Sequence, residues 1–225
     1  MLKIMSRRLS LKRIHGCTCL FPKPEIDAHE AVILIHGMGR TSLSMLSPAL
    51  FLRKRGFTVI LYGYPSTRHT IGKHAEGLLT FLRKIVEDDF GKVHFVTHSL
   101  GGIVARLALA NIANPKIGRM VMTAPPNQGS VKANEVSRIP FASTLLRPLD
   151  ELKNEKDSFI KTVPVPEIEI GVIAGLRDGK VQVAESHLEG EKAHLTVNSR
   201  HSFIMNRQDV KEAIYEFLRG GKFNN

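Results

Sequence analysis

The sequence predicts an α/β fold, a mostly parallel, doubly wound sheet with helices on both faces and a short cap-like excursion. Three observations predict it. Short apolar runs rich in β-branched residues alternate with longer stretches of helical period, the pattern of successive βαβ units. Gly56 and Gly91 stand where helices should end. A chain of 225 residues suits one well-buried core and is short for two.

The elements follow in order. Ala31-Val32-Ile33-Leu34-Ile35 is a continuous apolar run of strand length, as expected of a strand covered on both faces. It leads into His36-Gly37-Met38-Gly39-Arg40-Thr41. A helical pattern covers 44–55, a second strand 57–62, and a second helix 70–88. The third strand, 93–97, passes directly into a helix over 101–113, where Ala105, Ala108 and Ala110 permit close packing. Strands over 119–123, 168–174 and 193–197 complete the sheet, and a helix over 209–219 closes the chain. Residues 124–166 break the rhythm. They hold Pro125, Pro126, Pro140, Pro148, Pro164 and Pro166, and an excursion of that length inside a compact domain is usually functional. The expected organisation is a basic N-terminal arm over 1–27 and a single domain over 28–225, with 131–165 as a cap-like insertion.

Composition narrows the function. The hydrophobic fraction is 43% and the mean hydropathy −0.06, which excludes a disordered chain. Cys17 and Cys19, separated by one residue, are too close for an ordinary bridge and too few for a zinc site. No window approaches the roughly 18 apolar residues that span a bilayer. The net charge is +11, from 32 basic and 21 acidic residues, and such a balance invites nucleic acid or an anionic membrane. Aromatics at 6%, no Trp and dispersed basic residues argue against nucleic acid. Peripheral contact with an anionic membrane surface remains an expected partner. The first 27 residues carry +4 of the charge. Ser6-Arg7-Arg8-Leu9-Ser10-Leu11-Lys12 is like a twin-arginine signal, but Arg13, His15 and Gly16 interrupt its apolar stretch. Ile14-His15-Gly16-Cys17 is likewise a lipoprotein box without one. The expected location is the cytoplasm, with a membrane-peripheral position and export left open.

Thr97-His98-Ser99-Leu100-Gly101-Gly102 stands where a buried strand turns into a helix of small residues. A serine there is forced into a strained backbone that lifts its hydroxyl above the sheet, and the residues two away must be small. Gly101 meets that need; Thr97 stands where glycine is usual. Ser99 as a plain helix N-cap is the alternative. His36-Gly37-Met38-Gly39 offers exposed backbone, so the N–H groups of Met38 and Leu100 are the candidate oxyanion donors. A serine hydroxyl needs a base and an orienting carboxylate. His201, in the loop after the last strand, suits the base better than His187 or His194, and His98 is expected to be structural, pointing away from the turn. Asp178, in the loop after 168–174, suits the acid, with Glu185 as the fallback. Asp88, Asp89, Asp150 and Asp157 are placed less well.

The ordered motifs resemble the α/β-hydrolase superfamily, particularly its bacterial lipase-like and esterase-like members. The resemblance is carried by His36-Gly37-Met38-Gly39-Arg40-Thr41, Val96-Thr97-His98-Ser99-Leu100-Gly101-Gly102 and Thr123-Ala124-Pro125-Pro126-Asn127-Gln128-Gly129-Ser130. It continues through Asp178-Gly179-Lys180-Val181 and His201-Ser202-Phe203-Ile204-Met205, over roughly 31–223. It implies Ser99 as nucleophile, His201 as base, Asp178 as acid and Met38 and Leu100 as oxyanion donors, acting on a carboxylic ester through an acyl-enzyme with no metal or organic cofactor. The excursion is short for an interfacial lipase. Two other readings stay open: acyl transfer to an alcohol or amine on the same residues, and a basic membrane-surface binding protein with a degenerate hydrolase fold.

Overall fold

A computed structural model of the chain describes residues 11–22 and 29–224. Most of the twin-arginine-like segment, 6–10, and residues 23–27 of the basic arm lie outside the described residues. Eight strands form one sheet: β1 (Leu11–Ile14), β2 (Cys17–Leu20), β3 (Glu30–Ile35), β4 (Thr58–Tyr62), β5 (Lys92–His98), β6 (Ile117–Thr123), β7 (Ile170–Gly175) and β8 (Ala193–Val197). Their order across the sheet is β1-β2-β4-β3-β5-β6-β7-β8. From β4 to β8 every pair is parallel, whereas the β1–β2 hairpin adds antiparallel to the outer edge of β4. The hairpin turns at His15 and Gly16, both at positive φ, and covers an edge strand that would otherwise present unpaired N–H and C=O groups. Cys17 and Cys19, two apart on β2, remain free thiols.

The alternation within the strands sorts the core into two layers. Ala31, Ile33 and Ile35 of β3 join one buried cluster, and Val32 and Leu34 join the other. The first cluster lies under α2 (Ile71–Ile85) and α3 (Leu100–Leu109), the second under α1 (Leu46–Lys54) and α7 (Gln208–Gly220). Helices therefore cover both faces, so strands apolar on both sides are required. All five residues 31–35 are fully buried, and each large one contributes roughly 1.5–3 kcal/mol by leaving water.

Residues 131–165 carry two short helices, α4 (Val131–Ser137) and α5 (Ala142–Leu145), and 3-10 turns at Asp150–Leu152 and Phe159–Thr162. A third short helix, α6 (Val183–Ser186), follows β7. The excursion is held from several sides. Arg147 donates its N–H to the Thr67 carbonyl at 3.0 Å, and the Glu151 carboxylate accepts the N–H of Ile71 at the start of α2 at 2.7 Å. Leu149, Leu152, Ile160 and Val163 sink into the first core layer. Among the described residues no helix is long and apolar enough to cross a membrane.

Strand β3 pairs with β4 on one side and β5 on the other. The chain thus winds in opposite directions from β3, and in open α/β sheets this switch point opens a crevice at the carboxyl ends of the strands.

Candidate active site

Ser99 is the single residue between β5 and α3, with φ 52 and ψ −127. A non-glycine residue seldom adopts this backbone, and holding it there costs on the order of 1–3 kcal/mol. The neighbours make room. A Cβ on Gly101 would lie 2.6 Å from the carbonyl oxygens of Ile35 and His36, and one on Gly37 would lie 3.1 Å from the Cβ of Ser99. Glycine at both positions lets α3 and the loop after β3 close around the serine. Thr97, fully buried two residues earlier, is tolerated because Gly102 leaves space beside its hydroxyl. The Ser99 N–H donates to the Thr123 carbonyl at 2.9 Å, so β6 pins the turn.

Three distant segments meet at this hydroxyl. His201 Nε2 lies 3.0 Å from Ser99 Oγ, and His201 Nδ1 lies 2.7 Å from Asp178 Oδ2. The other carboxylate oxygen of Asp178 accepts the N–H groups of Lys180 at 2.8 Å and Val181 at 3.0 Å. Its side chain is fully buried and that of His201 is 9% exposed, so the line is shielded from water along its length and opens at Ser99, which is half-buried. With Asp178 accepting at Nδ1, the imidazole carries its proton there and leaves Nε2 free to accept one from the serine.

His98 was expected to point away from the turn; its ring instead packs against His201, with centroids 4.9 Å apart. Burial, and next the proximity of His201, hold its pKa well below the ordinary histidine value. It is a neutral wall behind the imidazole. Glu185, the fallback acid, is committed elsewhere: its carboxylate accepts the N–H groups of Val131 and Gln182, both at 2.7 Å, which ties α4 to α6.

The loop after β3 is oriented by contacts that run far in sequence. Gly39 donates its N–H to the buried hydroxyl of Ser66 at 3.1 Å. His36 Nδ1 lies 2.9 Å from the Gly37 carbonyl, while its Nε2 accepts the Tyr64 N–H at 3.4 Å. In a trans peptide the N–H of Met38 points opposite to that carbonyl, away from the His36 ring. Leu100 is the first residue of α3, so its N–H has no partner within the helix. No local signal in the sequence marks Ser66 or Tyr64 for this work.

Arg106 is a further residue that motif reading passes over. It is the one charge in the apolar helix α3, and it is buried, donating to the Asn127 side chain at 3.1 Å and to the Val163 carbonyl at 2.5 Å. Burial lowers its pKa to about 10. Asn127 donates onward to the Ser186 carbonyl at 2.8 Å, and Ser130 to the Lys180 carbonyl at 2.6 Å. The segment after β6 thus braces the loop that carries Asp178. The signal for Arg106 was present in the sequence as a lone cation on a small-residue helix.

One group among the described residues brings metal-binding side chains together, His187, Glu191 and His194, with ligand atoms within 4.8 Å. Both Nδ1 atoms already bond to Glu191 Oε1, at 2.7 and 2.9 Å. The two rings stack at 3.9 Å and 27°. With Glu191 Oε1 shared between the two rings, the three side chains form a hydrogen-bonded group.

Comparison with solved structures finds the same fold at low identity. A Bacillus licheniformis lipase, BlEst2, in its propeptide form superposes with a TM-score of 0.73 at 17% identity, over 92% of this chain and 54% of that one. The chain therefore spans about half the length of that protein. Est1E from Butyrivibrio proteoclasticus gives 0.64 at 18% over 93% and 96% of the two chains, and the Pyrococcus furiosus esterase Pf2001 gives 0.63 at 18% over 92% and 88%. No curated protein sequence matches the chain. A family model does match, over residues 32–193, from the second residue of the run that opens the parallel sheet to the start of the last strand, and by that match the chain belongs to the alpha/beta hydrolase family.

Proposed function

We propose that the chain is a serine hydrolase that cleaves carboxylic esters through an acyl-enzyme. The observation that carries the reading is the position of His201, 3.0 Å from Ser99 Oγ on one side and 2.7 Å from a buried Asp178 on the other. Ser99 Oγ attacks the ester carbonyl carbon while His201 Nε2 takes its proton. Asp178 stabilises the imidazolium and fixes its tautomer. The carbonyl oxygen becomes an oxyanion, for which the N–H groups of Met38 and Leu100 are the donors. Collapse of the tetrahedral intermediate breaks the C–O bond to the alcohol, and His201 returns the proton to the departing oxygen. Water, deprotonated by the same imidazole, then attacks the acyl-serine and releases the acid and Ser99. Est1E and the Pyrococcus furiosus protein, named as esterases or held with ferulic acid, are in keeping with an ester substrate.

A fluorophosphonate probe should label wild type and leave Ser99→Ala unlabelled, and p-nitrophenyl esters of increasing acyl length should be hydrolysed at rates that fall about 10³-fold or more in that variant. Equal labelling of the two proteins would sink the reading. Product that forms only when an alcohol or amine acceptor is supplied would assign acyl transfer instead.

A further inference from the structure

Of nine exposed large apolar side chains among the described residues, eight lie beyond the carboxyl ends of β3, β6, β7 and β8, the end on which Ser99 opens. Leu43 follows β3, Leu176 follows β7 and Phe203 follows β8, each more than 60% exposed. The excursion after β6 adds Phe141 at 78% and Leu145 at 72%. The hydrogen bond of Arg147 to Thr67, in the loop after β4, keeps that part of the excursion at the same end. Monomeric proteins seldom gather apolar side chains this way without a use for them.

The same loops carry basic residues. Arg40 stacks on the ring of Phe203, 5.4 Å from its centroid. Arg138 and Arg147 flank Phe141 and Leu145 in sequence, Arg177 and Lys180 follow Leu176, and Arg200 precedes Phe203. Among the described residues none of these six is in an ion pair, whereas Arg55, Arg119, Lys192 and Arg219 elsewhere pair with Glu212, Glu169 and Glu30. Asp178, the acid in these loops nearest the serine, is buried.

The geometry points to a docking surface for an anionic lipid membrane, built from the carboxyl-end loops around Ser99. Apolar side chains enter the acyl boundary while unpaired guanidinium and ammonium groups meet anionic headgroups, each worth about a fivefold gain in partitioning. A second copy of the chain is disfavoured on this face, because it would set like charges against one another. A polyanion without an apolar phase would leave Phe141 and Leu145 exposed. The inference rests on the proposed ester chemistry only for its purpose, since it brings Ser99 to esters held in a membrane.

The test is sedimentation with phosphatidylcholine vesicles, with and without 30% phosphatidylglycerol, across a salt series, using wild type and Phe141→Asp/Leu145→Asp. Wild type should sediment with the anionic vesicles, at least tenfold less with neutral ones, and less as salt rises. The double variant should lose tenfold or more of that binding while retaining its circular dichroism and its hydrolysis of p-nitrophenyl acetate. Binding to neither vesicle, equal binding to both, or an undiminished double variant would each overturn the surface. A wild-type dimer in gel filtration that the variant abolishes would overturn it in favour of self-association. Absence of ester hydrolysis in wild type would remove the chemistry and leave the vesicle result to be read alone.

Discussion

At the amino ends of the strands, Glu30, Arg119, Glu169, Lys192 and Arg219 are linked by ion pairs around a cleft of about 1090 Å³. At the carboxyl ends, Asp178, His201 and Ser99 form one hydrogen-bonded line. Arg119 bonds to Glu169 and also to the carbonyls of Leu218 and Arg219, while Lys192 and then Arg119 hold Glu169 below the usual carboxylate range. Those charges are about a third exposed or more, so each pair is screened and is worth about 1 kcal/mol or less. Arg119, Lys192 and Arg219 each have an anion there, and Lys92 Nζ donates to the Pro115 carbonyl at 2.7 Å. At the other end the carboxylate is out of water, each of its oxygens has a partner, and the imidazole has one nitrogen committed and one directed at a hydroxyl. Chemical capacity follows directional hydrogen bonds in a dry setting, not the volume of the cleft.

The sharpest way to break this contrast compares two carboxylates. Asp178 and Glu185 both accept two backbone N–H groups, but only Asp178 also meets a histidine. Asp178→Asn should lower kcat by about 10⁴-fold, because the amide favours the wrong imidazole tautomer. Glu185→Gln should leave kcat within a few-fold and lower stability by about 1–2 kcal/mol, since an amide offers one acceptor where two are used. Ester hydrolysis rates and urea unfolding on the same two proteins decide it. Comparable losses of activity would mean that Asp178 is another structural carboxylate.

Much of this end of the molecule was legible beforehand, for a physical reason. Ser99, Asp178 and His201 each follow a strand whose apolar run is unmistakable, and in a parallel sheet that position alone carries them to one end. The contacts that orient them were not legible. Ser66 reaches Gly39 and Tyr64 reaches His36 across about 27 residues of chain, and Ser130 reaches the carbonyl of Lys180 across 50. A hydroxyl in a loop has no periodicity to betray its partner. The β1–β2 hairpin was legible only as a basic arm and not as two strands, because Lys12 and Arg13 break the apolar alternation of a strand that only caps the sheet edge. The excursion could be recognised from its prolines but not folded, since four-residue helices and 3-10 turns depend on tertiary contacts.

The two ends also share a feature that pH should expose. His94 lines the amino-end cleft and His98 backs His201, and both are buried and neutral. Burial lowers the pKa of His94, and also that of His74, to about 4, and His98 lies well below its ordinary value. Unfolding returns each to about 6.5, so between pH 6.5 and 4 the unfolded chain binds protons that the folded chain refuses. Stability is therefore full above about pH 6.5 and falls as pH drops toward 4, by about 3 kcal/mol for His94. Urea midpoints at pH 7, 5.5 and 4.5 should trace the decline. His94→Asn, whose Oδ1 can still accept the N–H of Arg119 that His94 Nδ1 holds at 2.9 Å, should flatten it, and an unchanged slope would remove His94 as a contributor.

The smallest expected effect concerns where backbone strain is kept. Four non-glycine residues among those described have positive φ: His15 turns the β1–β2 hairpin, and Ser99, Ala124 and Phe141 all follow β5 or β6 at the carboxyl end. The amino end holds none of the four. Ser99 cannot be relaxed without losing its hydroxyl, but Ala124, at φ 49 directly after β6, has no side chain to lose beyond a methyl. Its N–H donates to the Ile173 carbonyl at 2.8 Å, so β7 holds it in place, and the turn it makes sets the direction of the excursion. Ala124→Gly removes the Cβ clash while adding freedom to the unfolded chain, and the two terms oppose each other. The left-handed conformation costs about 1–2 kcal/mol for a residue with a Cβ, which outweighs about 0.4–1 kcal/mol of added chain entropy. Urea unfolding should therefore show a gain of up to about 1 kcal/mol with ester hydrolysis unchanged. A loss of stability would mean that the methyl, buried in the second core layer, matters more than the strain beneath it.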